Sequence, residues 1–389
     1  MKIVADENMP LVQEFFGDLG HIVTRPGRSM TAADVADADI LLVRSVTEVG
    51  PVLLKNSQVR FVGTATIGTD HLDLPWLQSA GISVSAAPGC NARAVAEYVV
   101  ATLLAARPDV DPAGLVLGIV GMGNVGRALA RLAAVLGVRI LACDPFVDVA
   151  RLAAEGVVPT TVQSVEWSDL LRSADVICLH TPLTTTGPHP TRHMVAAPEL
   201  QQLRPGALLI NAGRGAVIDN HALRAHLAAK PGSLTAVLDV WEGEPRPDAA
   251  LLAQVRFGTP HIAGYSQEGK WRGTAMIYEA LCRFLGREPV HEFTDFVSDV
   301  GAGELVLPDD LPVLEAVRRA VAAAYPVTRD DDALRQAVQE PDPGAAFDRL
   351  RKQYWGRREF PAHRVRLREG HAASPLLAAL GFQLLPESQ

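Results

Sequence analysis

Over the first ninety residues, short apolar runs (Ile3 to Ala5, Ile40 to Val43, Phe61 to Gly63, Ile82 to Val84) alternate with stretches of helical spacing. This rhythm predicts a small parallel α/β unit. From Asn91 to Arg107, the stretch NARAVAEYVVATLLAAR predicts a helix with Asn91 as its cap and Pro108 beyond its end. It leads into a second region that opens with LVLGIVG, Leu115 to Gly121, and continues through VRILACD, DVICLHT, ALLIN and LTAVLD with helical patterns between them. Apolar strands in this alternation predict a doubly wound parallel sheet. A further helix from about Gln267 to Gly286 would return the chain to the first unit, making the smaller domain discontinuous. The expected division is therefore a smaller domain of residues 1–92 with 267–286, a larger one of residues 93–266, and a carboxy-terminal α+β region of residues 287–389. In that last region Pro308, Pro312, Pro326, Pro341 and Pro343 punctuate short helices.

A chain of 389 residues is too long for one ordinary core. With 48% hydrophobic and 21% charged residues it is globular in composition, and wholesale disorder is excluded. The net charge of −8 argues against a duplex-binding surface, since non-specific nucleic-acid affinity comes from Lys and Arg neutralising phosphates. Any anionic ligand must then be held by local positive groups. Cys90, Cys143, Cys178 and Cys282 are scattered without CxxC pairing, which suggests neither a zinc site nor a disulfide framework and fits a reducing cytoplasm. The start MKIVADENMP lacks an apolar leader, and no apolar stretch has the length of a membrane span, so a soluble, unexported protein is expected.

Gly121-Met122-Gly123-Asn124-Val125-Gly126 is a GxGxxG placed directly after an apolar strand and before the helical stretch NVGRALARLAAVLG. Gly121 permits the tight turn, Gly123 lets backbone approach a pyrophosphate, and Gly126 allows close packing of helix on strand. The free N–H groups of Asn124, Val125 and Gly126 at the helix start attract the anion. The next strand ends at Asp144, whose carboxylate can accept from both adenosine ribose hydroxyls and would repel a 2′-phosphate. The expected cofactor is NAD.

Three further turns follow strands: Asn211 to Gly215 (NAGRG), Asp239 to Pro245 (DVWEGEP) and Pro260 to Gly264 (PHIAG). Their position puts Arg214, Glu244 and His261 at the rim where open α/β sheets bind ligands. Oxidising a 2-hydroxy acid needs a base for the hydroxyl proton and a grip on the carboxylate. His261 suits the first task, with Glu244 favouring the imidazolium that forms. Arg214 suits the second, because a planar guanidinium can hold carboxylate and developing carbonyl oxygen together.

Together with GTATIGTDHLD and APGCNARAVAEYVV, these segments make residues 1–286 resemble the D-isomer-specific 2-hydroxyacid dehydrogenase family. The resemblance implies Arg214 for substrate binding, Glu244 as the histidine's partner and His261 as acid/base. It also implies Asp239 and Gly264 near the nicotinamide and Thr181, in HTPL, beside the cofactor. The start MKIVADENMP, LLVRSVTEV, Trp241 and HIAGYSQEGKWRGT, with the extra carboxy-terminal region, resemble more narrowly a branch of the family acting on 4-phosphoerythronate, a phosphorylated four-carbon hydroxy acid. That likeness implies substrate contacts from Ser45, Thr66 and Tyr265, and a homodimer held by the carboxy-terminal region. A phosphate needs a second anion grip remote from Arg214, and Arg44 supplies a charge suited to it.

Two departures from the family pattern stand out. Gly213 precedes Arg214 in place of the commoner residue, which is expected to alter loop flexibility, and TTTGPHPTRHMV is rich in Pro and His. His189 and His193 lack a third ligand in sequence and read as an exposed loop, so no metal is expected. Cys90 reads as a small packing residue, since hydride transfer needs no thiol. In the carboxy-terminal region, LPVLEAVRRAVAAAYPV and the aromatic, basic run around Trp355 suggest a surface buried against a twin, with Arg349 or Arg351 as residues that could reach a partner's site. Two rivals stay open: a family member acting on phosphoglycerate or glycerate, and an NAD-sensing, corepressor-like protein on the same scaffold, for which an exposed apolar groove is expected.

Overall fold

The apolar runs become strands, and the strands sort into separate sheets. In the computed structural model, which describes residues 1–296 and 303–385, the chain divides into two units, Met1–Asn91 with Tyr265–Asp299 and Ala92–Gly264 with Val300–Gln389.

The first unit holds a five-stranded sheet of β1 (Lys2–Asp6), β2 (His21–Arg25), β3 (Ile40–Val43), β4 (Phe61–Thr64) and β5 (Ser83–Ala86) in the order β2-β1-β3-β4-β5. All its pairings are parallel. The edge strand β2 has no fully buried residue, so it lacks the apolar run by which its neighbours are legible. The helix Gln267–Leu285 starts at Ser266, whose side chain accepts from the Gly269 amide, and stops at Gly286 with φ 65°. Its Ile277, Tyr278 and Leu281 enter one core with Ile3, Phe15, Phe16, Ile40 and Phe61. Gly63 makes room for Ile277, since a Cβ there would collide with that side chain.

The second unit holds a seven-stranded parallel sheet: β6 (Val116–Val120), β7 (Arg139–Cys143), β8 (Gln163–Ser164), β9 (Val176–Leu179), β10 (Ala207–Asn211), β11 (Leu234–Leu238) and β12 (Phe257–Gly258). Their order is β12-β11-β10-β9-β6-β7-β8, which reverses direction at β6 and β9. That reversal is the place where such sheets take ligands. The expected helix at 91–107 is Ala92–Ala106. Asn91 does not cap it, because its Oδ1 is buried without a partner and its Cβ sits against Gly269.

Residues expected as a separate third region are shared between the units. Phe293 and Phe296 pack on the first core, while Leu334 and Phe347 lie in the core of the second. A small parallel sheet of β13 (Glu304–Val306), β14 (Arg364–Arg366) and β15 (Gln383–Leu385) belongs to the second unit. Polar contacts fasten this segment: Asp331 accepts from the Gly258 amide at 2.7 Å, and Arg335 donates to the carbonyls of Leu252 and Val255 at 2.8 and 3.1 Å. The fully buried Arg357 donates to the carbonyls of Ala263 and Ala94 and lies 4.3 Å from the Tyr325 ring centroid. Among the described residues no helix is long and apolar enough to cross a membrane, and none of the four cysteines is in a disulfide.

Candidate active site

Glycines let the strand ends of the second unit close on one another. Gly121, at φ 93°, leads β6 into the helix Asn124–Val135, and a Cβ on Gly126 would collide with the Gly121 carbonyl oxygen. At Gly123 a side chain would meet open space, and this residue gives the helix no side-chain cap. The first-turn N–H groups are thus left for an anion, with room to reach them. Asp144 accepts from the amides of Met122 at 2.7 Å and Phe146 at 3.0 Å. It braces the glycine loop and still has lone pairs for a ribose hydroxyl. These residues fit a dinucleotide.

The same close approach links the other turns. A Cβ on Gly121 would stand 2.9 Å from the His180 carbonyl, and one on Gly213 would stand 3.0 Å from the Leu179 carbonyl. A Cβ on Gly215 would collide with the Trp241 carbonyl. The glycine before Arg214 therefore has a steric role where only loop flexibility was expected. Asn211 holds this turn, accepting from the Gly213 amide and donating to the Arg214 carbonyl, while the Arg214 guanidinium donates to the Gly213 carbonyl at 3.0 Å. Thr181 follows β9, with its hydroxyl 4.0 Å from the Met194 sulfur.

Asp239, at the end of β11, is buried and accepts from the Thr259 hydroxyl at 2.6 Å and the amides of Ile262 and Ala263 at 2.8 and 2.9 Å. It thus clamps the PHIAG turn, and one of its four acceptor positions remains. The turn is strained, because His261 sits at φ 57°, a left-handed conformation that costs about 1–3 kcal/mol and persists only when its surroundings enforce it. The His261 Nδ1 lies 2.8 Å from Glu244 Oε2, and Glu244 Oε1 accepts from the Trp241 amide at 2.9 Å. Burial pushes the Glu244 carboxyl up. The charge of His261, hydrogen bonds from its ring and the Trp241 amide, and the charge of Arg351 outweigh that and hold it below its ordinary value. An ionised carboxylate can only accept, so Nδ1 carries a proton in either state of the ring, and in the neutral ring Nε2 is the acceptor.

The first unit carries the other candidates. Arg44 and Ser45 follow β3, and Thr66 follows β4, its neighbour in register through Val43 and Thr64. Arg44 donates to the Asn8 carbonyl at 3.1 Å and lies 5.6 Å from the Tyr265 ring centroid. Ser45 is exposed, and the Thr66 hydroxyl is engaged with Thr64 and the Gly68 carbonyl. The strand order of this sheet reverses between β1 and β3, the kind of position where open α/β sheets commonly take ligands, and Asn8 and Arg44 follow those two strands.

Some neighbours were not legible. His193, read as part of an exposed loop, sits at φ 54° with Nε2 2.6 Å from Glu242 Oε1, while Glu242 exchanges hydrogen bonds with Asn220. His189 is exposed beside Phe146. The Trp241 indole donates to the Thr259 carbonyl, which ties DVWEGEP to PHIAG. No local pattern announces these pairs, since their partners lie 18 and 49 residues apart.

Residues 95–263 match the family described as D-isomer specific 2-hydroxyacid dehydrogenase, NAD binding domain, and residues 304–381 match a domain of unknown function (DUF3410). The chain is 47% identical over 389 residues to the erythronate-4-phosphate dehydrogenase of Teredinibacter turnerae, covering 99% of each. It is 48% identical over 386 residues to that of Pseudomonas putida strain F1, covering 98% of each. Among solved structures, the TT0316 protein from Thermus thermophilus superposes with TM-score 0.62 at 26% identity, over 75% of this chain and 99% of that one. The D-lactate dehydrogenase from Aquifex aeolicus, complexed with NAD and lactic acid, shares the fold at TM-score 0.60 and 23% identity, over 73% and 95%. With its glycine loop, its histidine–glutamate pair and relatives matching along its whole length, the chain belongs to the D-isomer specific 2-hydroxyacid dehydrogenase family of NAD-dependent oxidoreductases.

Proposed function

We propose that the chain oxidises 4-phosphoerythronate with NAD to 3-hydroxy-2-oxo-4-phosphobutanoate, a step toward pyridoxal phosphate. The observation that carries the chemistry is the 2.8 Å contact of His261 Nδ1 with Glu244. It leaves Nε2 to take the proton of the substrate hydroxyl, and the carboxylate stabilises the imidazolium that results. Arg214 holds the substrate carboxylate and orients the carbon that loses hydride. Bound NAD supplies the hydride acceptor. Gly121, Gly123, Asn124, Val125, Gly126 and Asp144 hold its pyrophosphate and ribose, with Thr181, Asp239 and Gly264 toward its nicotinamide. Ser45, Thr66 and Tyr265 contact the substrate, and Arg44 holds its phosphate. The full-length relatives named erythronate-4-phosphate dehydrogenase support this substrate over phosphoglycerate or glycerate.

The protein works as a cytoplasmic homodimer in this reading. Val306 and Leu384, exposed on the small carboxy-terminal sheet, support self-association there. The test is to supply 4-phosphoerythronate, 3-phosphoglycerate and unphosphorylated erythronate in turn and follow reduced nicotinamide by absorbance. The first should give the highest kcat/KM; preference for either of the others rejects the assignment.

A further inference from the structure

Lys270 stands in the first turn of the helix Gln267–Leu285, where the helix dipole disfavours a cation. Its ammonium lies 4.9 Å from the Tyr265 ring centroid, and the Arg44 guanidinium lies 5.6 Å from the same ring. Two positive groups thus share one aromatic side chain within the first unit. Among the described residues neither is paired with a carboxylate: Arg44 donates to the Asn8 carbonyl, and Lys270 has only the Tyr265 ring. Lys270 is also partly buried, and that burial, with the charge of Arg44, pushes it down to about 8.

Such an arrangement breaks three local rules at once, because a cation is half-desolvated, set at a positive helix end and placed beside another cation. Violations concentrated on one residue are the mark of a functional position. A dianion would relieve all three. The cluster lies beside the β1–β3 reversal, through Arg44 and Asn8.

We propose that Lys270 is a phosphate-binding residue, forming with Arg44, at the Tyr265 ring they share, a two-cation clamp that selects phosphorylated over unphosphorylated hydroxy acids. This rests on the reading that Arg44 takes the phosphate end of the substrate. Arg44 offers a planar fork and Lys270 a compact charge, so the clamp meets a phosphate with both kinds of donor.

The test compares kcat/KM for 4-phosphoerythronate and erythronate in wild type, Lys270→Met and Lys270→Arg. In Lys270→Met the preference for the phosphorylated acid should fall by about tenfold or more, the usual worth of a hydrogen bond to a charged group, and Lys270→Arg should restore most of it. A preference unchanged in Lys270→Met overturns the clamp, as does an equal loss on both acids. If wild type itself does not favour the phosphorylated acid, the substrate reading fails instead. A second measurement needs no variant: trinitrobenzenesulfonate labelling of Lys270, read by peptide mass, should slow in inorganic phosphate. Labelling at the same rate with and without phosphate also overturns the proposal.

Discussion

At the scale of single residues, the site is governed by what each polar atom has for a partner. His261 is paired at Nδ1, so its proposed role depends on one ring nitrogen. Replacing it by Ala should lower kcat by about a hundredfold or more, as loss of a general base does, and turnover within about tenfold of wild type would remove it from that role. His180 is the opposite case, a ring whose two nitrogens are both buried and unpartnered. Burial pushes it down to about 4, whereas a histidine in the unfolded chain titrates near 6.5. Above that pH both states hold the ring neutral and no stability is lost. As pH falls from about 6.5 to 4 only the unfolded chain takes the proton, which lowers stability by up to about 3 kcal/mol. Urea unfolding of wild type and His180→Asn at pH 7 and pH 4.5 checks this. Two curves that shift in parallel would show that another group carries the acid sensitivity.

At the scale of elements, strand ends are brought together by the absence of side chains. Gly215 lets the turn bearing Arg214 lie on the backbone of Trp241, three residues before Glu244. Gly215→Ala must push these two turns apart, because the obstacle is backbone. Since a displacement of about 1 Å can cost a hundredfold, kcat should fall by about that factor while NAD affinity, read by quenching of intrinsic fluorescence, stays near wild type. Near-normal kcat in this variant would mean that the turns need not touch. Gly126→Ala strikes the other side of the rim, where the collision is with the glycine loop itself. There the loss should appear as a raised KM for NAD.

At the scale of the whole molecule, the carboxy-terminal segment is part of the second unit's interior. Arg357 reaches the carbonyl of Ala263, two residues beyond His261, and the carbonyl of Ala94 in the helix Ala92–Ala106. Glu97 of that helix accepts from the Phe360 amide with both oxygens. Breaking a buried charged network by removing one partner costs about 3–5 kcal/mol. Arg357→Met should therefore lower the urea midpoint by that equivalent, with a smaller loss of turnover through the PHIAG turn. An unchanged midpoint would contradict the view that this segment supports the catalytic unit. Sedimentation of the wild-type protein should give twice the 41.6 kDa chain mass; a single-chain mass would end the homodimer proposal.

The sequence by itself determined the two parallel sheets, the glycine loop after β6 and the three turns that carry Arg214, Glu244 and His261. Each is encoded locally, by an apolar run followed within a few residues by glycine or a polar group. It could not determine β2, whose edge position leaves no apolar run, or that Leu334 and Phe347 enter the core of the second unit. Only the tertiary structure decided that His193 meets Glu242, that a side chain at Gly213 would crowd the Leu179 carbonyl, and that Lys270 and Arg44 share Tyr265. The physical reason is the same in each case: these are contacts between residues far apart in the chain, and neither partner carries a local trace of the other.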